Sequence, residues 1–156
     1  MNTHFRHSRS GFTLVEALVT IAILSIMAGV LISAFSSATT DTSRTIARQQ
    51  QAAIQNAVNA WVNGDTNRVN VINAATGSAK LRTVEEIRTD YNSRTTSLAR
   101  LNLVASYLDD PTKNHFFNTT TNSDKIKSEA LTATKQYITL PTWASGSYPQ
   151  VLLTAE

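Results

Sequence analysis

The sequence predicts an α+β protein: one long N-terminal α-helix, a membrane half followed by an amphipathic half, packed on a head of short helices and a small antiparallel sheet. Three observations predict it. Residues 12–35 are apolar all round, apart from Glu16 and a few small hydroxyl residues. Between residues 46 and 62, Ile46, Ala47, Ala53, Ile54, Ala57, Val58, Trp61 and Val62 recur at helical spacing, with Gln, Asn and Arg on the other face. Beyond Pro111 the pattern turns to short runs rich in aromatic and β-branched residues, separated by turn signals. A chain of 156 residues has room for one modest core.

Taken in order, residues 1–11 (MNTHFRHSRSG) are short, polar and basic. The 24 residues that follow make a helix of roughly 36 Å at ~1.5 Å per residue, enough to cross a hydrocarbon layer of ~30 Å. The basic residues precede this span, so the positive-inside tendency places residues 1–11 in the cytoplasm and the head across the membrane. Glu16 is the anomaly, because a carboxylate in a membrane segment costs about 2.5–3.5 kcal/mol on insertion scales unless it is partnered. Two readings are open. Glu16 reaches the headgroups from near the helix end, or it pairs with a cation inside the bilayer. The chain has no cation nearby, but cleavage before Phe12 would create an α-amine one helical turn away, in the same chain or in a staggered neighbour.

The polar stretch 36–45 has no residue that would stop a helix, so the helix is expected to continue to about residue 63, with Gly64 as its stop. Residues 64–80 read as a polar loop. Thr83 and Glu86 fit a capping box opening a short helix to about Tyr91. Ser97 caps a second helix over 98–108, ended by Asp109, Asp110 and Pro111. Strands are expected at His115–Thr119, Gln136–Leu140 and Tyr148–Thr154, the last two joined by a turn within 141–147. Pro149 marks an edge or a strand start.

Gly11, Phe12, Thr13, Leu14, Val15 and Glu16, set between a basic leader and a membrane-length apolar run, resemble the class III signal sequence of type IV pilins and type II secretion pseudopilins. The resemblance covers about residues 6–35. It implies a leader, 1–11, removed by prepilin peptidase after Gly11, with Phe12 methylated at its new N-terminus and Glu16 guiding docking into a filament. It also implies a membrane and filament-core segment at 12–35, an amphipathic continuation at 36–63 and a globular head at 64–156. The partners implied are prepilin peptidase, other pilin-like subunits, an inner-membrane assembly platform and, before assembly, the lipid bilayer. Two departures matter. Many major pilins carry a proline in the second half of the membrane segment, whereas this chain has Gly29 and Ser33 there and no proline before Pro111. This tilts the reading toward a minor subunit. The tip subunit of type II secretion systems typically lacks the glutamate, so Glu16 argues against that role.

The alternatives are an ordinary secretory signal cut near Ala38, or an uncleaved anchor. A charge early in the apolar core argues against the first. No catalytic constellation stands out, and no cofactor is expected. His115 beside Phe116 and Phe117 reads as a packing residue. Asp109, Asp110, Asp124 and Glu129 are too dispersed for a calcium loop, which needs six to eight oxygen ligands. With no cysteine, disulfides and thiolate metal sites are excluded. The net charge of +3 owes much to Arg6 and Arg9 in the leader, so no nucleic-acid partner is expected. The function expected is therefore structural: a pseudopilin or minor pilin of a type II secretion or type IV pilus-like filament. A surface pilin for adhesion, motility or DNA uptake is the alternative, with Lys125, Lys127 and Lys135 its only hint. A membrane-anchored enzyme or sensor head is a third, without site residues to support it.

Overall fold

The computed structural model describes residues 12–66, 69–72 and 79–156; Gly11, the leader and part of the loop expected over 64–80 lie outside the described residues. The elements in chain order are α1 (Leu14–Thr66), β1 (Val69–Ile72), β2 (Ala79–Leu81), α2 (Val84–Ser93), α3 (Ser97–Val104), a 3₁₀ turn (Ala105–Tyr107), α4 (Asp110–Thr119), α5 (Glu129–Ala133), β3 (Gln136–Thr139) and β4 (Leu152–Ala155). The fold class is α+β, as expected. Contacts divide the chain between Thr39 and Thr40 into two units.

The first unit contributes the opening stretch of α1. Its most apolar window has a mean hydropathy of 2.5 and no buried residue. The large apolar side chains from Phe12 to Phe35 are 51% to 79% exposed. Burying a side chain of that size is worth about 1.5–3 kcal/mol. In this stretch none of these side chains is buried among the described residues, so most of that gain is left unmade.

In the second unit the same helix acquires a buried face. Ala47, Ile54, Ala57, Val58, Trp61 and Val62 are buried against Ile87 and Tyr91 of α2, Leu101 and Val104 of α3, Phe116 of α4, Leu131 of α5 and Ile138 of β3. Ile46 instead stays exposed. The helix runs through Gly64 to Thr66 rather than stopping at the glycine. A Cβ at Gly64 would lie 2.5 Å from the Tyr107 hydroxyl, so the glycine serves close approach and not termination.

Short polar caps delimit the head helices. The Thr83–Glu86 capping box forms as expected: the Glu86 N–H donates to Thr83 Oγ1 at 3.2 Å, and the Thr83 N–H to Glu86 Oε2 at 2.7 Å. Thr96, one residue before the expected Ser97, caps α3. That helix gives way to a 3₁₀ turn after Val104 instead of running to 108. The Ser97 hydroxyl instead accepts the Leu140 N–H at 3.1 Å.

The largest correction concerns residues 109–119. The strand expected at His115–Thr119 is helical, within α4. Asp109, read as part of a helix end, is the N-cap of this next helix. Its Oδ2 accepts the Thr112 N–H at 3.1 Å, which holds its carboxyl below the usual range. Pro111 falls in the first turn, where its missing N–H costs nothing.

Among the described residues two antiparallel strand pairs form, β1 with β2 and β3 with β4. The first lies in the stretch expected to be loop. The second matches the expected pairing but is shorter: β3 ends at Thr139, and β4 begins at Leu152 instead of Tyr148. Gly146, with φ +78°, sits third in the turn closed by the Ser147 N–H on the Ala144 carbonyl. Residues 149–151 are not a strand because α1 supplies their partners. Gln55 donates Nε2 to the Pro149 carbonyl at 2.9 Å, and its Oε1 accepts the Val151 N–H at 2.8 Å. Gln51 Nε2 donates to the Val151 carbonyl at 2.8 Å. Asn92 of α2 does the same for Trp143, accepting its N–H at 2.8 Å and donating to its carbonyl at 3.0 Å.

Candidate functional site

The first turn of α1 carries the charged residue singled out in the sequence. Thr13 precedes the helix, and its carbonyl accepts the Ala17 N–H at 3.1 Å, the first bond of the helical ladder. Its Oγ1 accepts the Glu16 N–H at 3.2 Å. In return Glu16 Oε2 accepts the Thr13 N–H at 3.0 Å and the Thr13 hydroxyl at 2.9 Å. This reciprocal pair is a capping box, which satisfies two donors that a helix start otherwise leaves open. A carboxylate at the positive end of the helix dipole is also in a favourable place. Glu16 is exposed, and so is Phe12, at 79%.

Of the residues read as functional, Phe12 and Glu16 therefore lie four positions apart at the start of α1, and Gly11 is outside the described residues. Thr13 was missed. Its signal was legible: Thr13-x-x-Glu16 before an apolar run is the same pattern that identified Thr83 and Glu86. One side of the helix beyond carries Ser25, Gly29, Ser33 and Ser37, each four residues apart. The Ser25 and Ser37 hydroxyls donate to carbonyls one turn back, so they present little polarity outward.

Nothing in the head assembles for catalysis or metal binding among the described residues. No group of three His, Asp or Glu side chains could hold a metal ion there. The four scattered acids have separate local tasks: Asp109 caps α4, Asp110 pairs with Lys113 at 2.8 Å, Asp124 sits in a turn with its N–H on Asn122, and Glu129 opens α5. His115 packs its ring 6.2 Å from that of Phe116. An open groove of about 670 Å³ runs between α1 and residues 148–152, but the Gln51 and Gln55 amides lining it already bond the segment opposite. The three lysines gather near β3 without forming a bare basic patch. Lys125 lies 4.7 Å from the Tyr137 ring centroid, and Lys127 pairs with Glu156 at 2.6 Å.

Residues 6–32 match the family model for the prokaryotic N-terminal methylation motif, the class III signal sequence, consistent with a type IV pilin-like protein. The motif implies processing by prepilin peptidase and pilin-like assembly in general. It is a structural motif of the pilin type rather than an enzymatic one. With one long apolar helix near the N-terminus, it fits a single-pass, membrane-anchored pilin. Neither a curated protein nor a solved structure matches the chain.

Proposed function

We propose that the chain is a structural subunit, a pseudopilin or minor pilin, of a type II secretion or type IV pilus-like filament. It is inserted in the inner membrane with the head on the extracytoplasmic side, cut after Gly11 and methylated on Phe12. Glu16 then guides each subunit into the filament, and residues 12–35 bury their apolar surface against neighbouring subunits in place of lipid. Residues 36–63 continue the helix into the head, 64–156. The assembly platform of the inner membrane is the partner that lifts the subunit out of the bilayer.

The observation that carries this reading is the pairing of a matched methylation motif with a helix whose large apolar side chains, from Phe12 to Phe35, are exposed. Exposed apolar area on this scale needs another molecule. Glu16→Gln tests the docking role, because glutamine keeps the capping geometry and removes only the charge. The expected outcome is normal cleavage with filament incorporation reduced at least tenfold, on the order of the 1.4 kcal/mol that one lost charged contact supplies. Normal incorporation of the variant would remove Glu16 from the docking step. The intact mass of the protein recovered from its own membranes checks the processing: a chain beginning at methylated Phe12 is expected.

A further inference from the structure

We infer that the groove between α1 and residues 148–152 binds a neutral oligosaccharide. The site lies wholly in the second unit and depends on neither cleavage nor filament assembly.

Charge comes first. The groove, of about 670 Å³, has Gln51, Gln55, Asn59 and Asn63 of α1 on one side and Tyr148 and Gln150 on the other, and none of its lining residues is charged. Its volume falls in the range of small-molecule sites, about 300–1,000 Å³. A phosphate or carboxylate ligand would call for a cation in the lining, and a basic ligand for a carboxylate. An uncharged, polyhydroxylated ligand calls for neither.

The hydrogen-bonding of the amides then decides which atoms remain. The Val151 N–H can only donate, so Gln55 turns Oε1 toward it at 2.8 Å. Gln55 Nε2 spends its hydrogens on the Pro149 carbonyl at 2.9 Å and on Asn59 Oδ1 at 3.0 Å. Asn59 therefore keeps Nδ2, a donor. Gln51, whose Nε2 donates to the Val151 carbonyl at 2.8 Å, keeps Oε1, an acceptor. Neither atom has a partner among the described residues. A sugar hydroxyl both donates and accepts, so one kind of ligand group satisfies both. Along α1 the two residues are about 12 Å apart at ~1.5 Å per residue, a span that about two or three linked pyranose rings cover.

Tyr148 supplies the apolar platform. It is 49% exposed, yet it is held: its hydroxyl donates to Asn63 Oδ1 at 2.8 Å, and its ring lies 6.0 Å from that of buried Trp143. A pyranose ring carries faces of C–H groups that pack on an aromatic ring, and a ring already fixed loses little freedom on binding. Fastening residues 149–151 accounts for Gln55 and for the Gln51 nitrogen. It gives no task to Asn59 Nδ2 or to the open part of the Tyr148 ring.

The test is isothermal titration of the full chain, in a zwitterionic detergent without a sugar headgroup, with cellotetraose, chitotetraose and a capped tetra-alanine peptide. At least one of the two sugars is expected to bind, with the same affinity at low and high salt. Tyr148→Ala should weaken that binding roughly tenfold, while Tyr148→Phe, which keeps the ring, should stay within about threefold. Asn59→Leu should weaken it about 2- to 10-fold, the worth of one hydrogen bond. Asn56 is exposed outside the groove, so Asn56→Ala should bind like wild type. Should Tyr148→Ala fail to fold, Asn59→Leu and Tyr148→Phe carry the test, with unfolding midpoints showing that they are folded. Absence of binding by both sugars at millimolar concentration would overturn the inference. So would sugar binding that Asn59→Leu leaves unchanged, or tighter binding of the peptide, which would assign the groove to an extended chain.

Discussion

The two stretches of α1 are built from similar apolar residues and have opposite fates. From Leu14 to Thr39 the large apolar side chains are exposed; from Thr40 onward, Ile46 apart, they close against four other helices and a strand. The polar residues differ in the same sense. In the first stretch hydroxyls fold back on their own helix, as Thr20 does on the Glu16 carbonyl at 2.7 Å and Ser25 on the Ile21 carbonyl at 2.8 Å. In the second, amides reach outward to segments about a hundred residues away. Each part of the helix thus states what surrounds it. Polar groups turned inward suit an apolar medium, where a dangling donor is expensive. Polar groups turned outward suit a protein partner with backbone to satisfy.

That contrast can be broken by substitution, most sharply in the core. Ile54→Ala should cost the head about 2–5 kcal/mol, whereas Ile26→Ala should leave head unfolding unchanged, measured by denaturant titration of the chain in mild detergent. Equal effects would mean that the first stretch is also covered by its own chain. Next comes Tyr91, fully buried between the Trp61 and Trp143 rings with no hydrogen-bond partner for its hydroxyl among the described residues. Burial pushes its phenol up to about 12, against the pull of Arg100. A raised folded value means stability is fully present below the ordinary value of about 10 and is lost as pH climbs toward 12. By pH 12 that linked loss is about 2–3 kcal/mol. Tyr91→Phe should remove this part of the alkaline decline and be at least as stable as wild type at pH 7, read from unfolding midpoints against pH. The smallest effect sharpens the amide comparison. Gln55→Ala should cost about 1–2 kcal/mol by releasing Pro149 and Val151, against less than about 0.5 for exposed Gln49→Ala on the same helix.

The sequence disclosed what depends on neighbours along the chain and hid what depends on partners across it. The long helix was visible because its apolar pattern never breaks, and the Thr83–Glu86 cap because both partners sit within one turn. At Asp109, Asp110 and Pro111 the same signal serves a helix end or a helix start, and only the direction in which the Asp109 side chain bonds decides between them. Phe116 and Phe117 looked like strand residues, yet a single fully buried ring, Phe116, suffices to seat a helix face. The glutamines of α1 read as a solvated face because their partners at 149–151 are almost a hundred positions distant. Arg100 was equally silent. It is buried, donating to the Leu140 carbonyl at 2.7 Å and stacked 5.5 Å from the Tyr91 centroid. At the candidate site the charge of Glu16 was legible, but its hydrogen-bonding with Thr13 was overlooked although the pattern was in view.

The fastening of residues 143–151 by Asn92, Gln51 and Gln55 has a consequence for where such a head can work. Every one of these contacts is between neutral groups, so salt cannot screen them and no titration near neutrality loosens them. Each is an amide-to-backbone hydrogen bond that involves no thiol. The segment 143–151 is therefore fastened by contacts whose strength does not depend on ionic strength, unlike the Lys127–Glu156 pair that follows it.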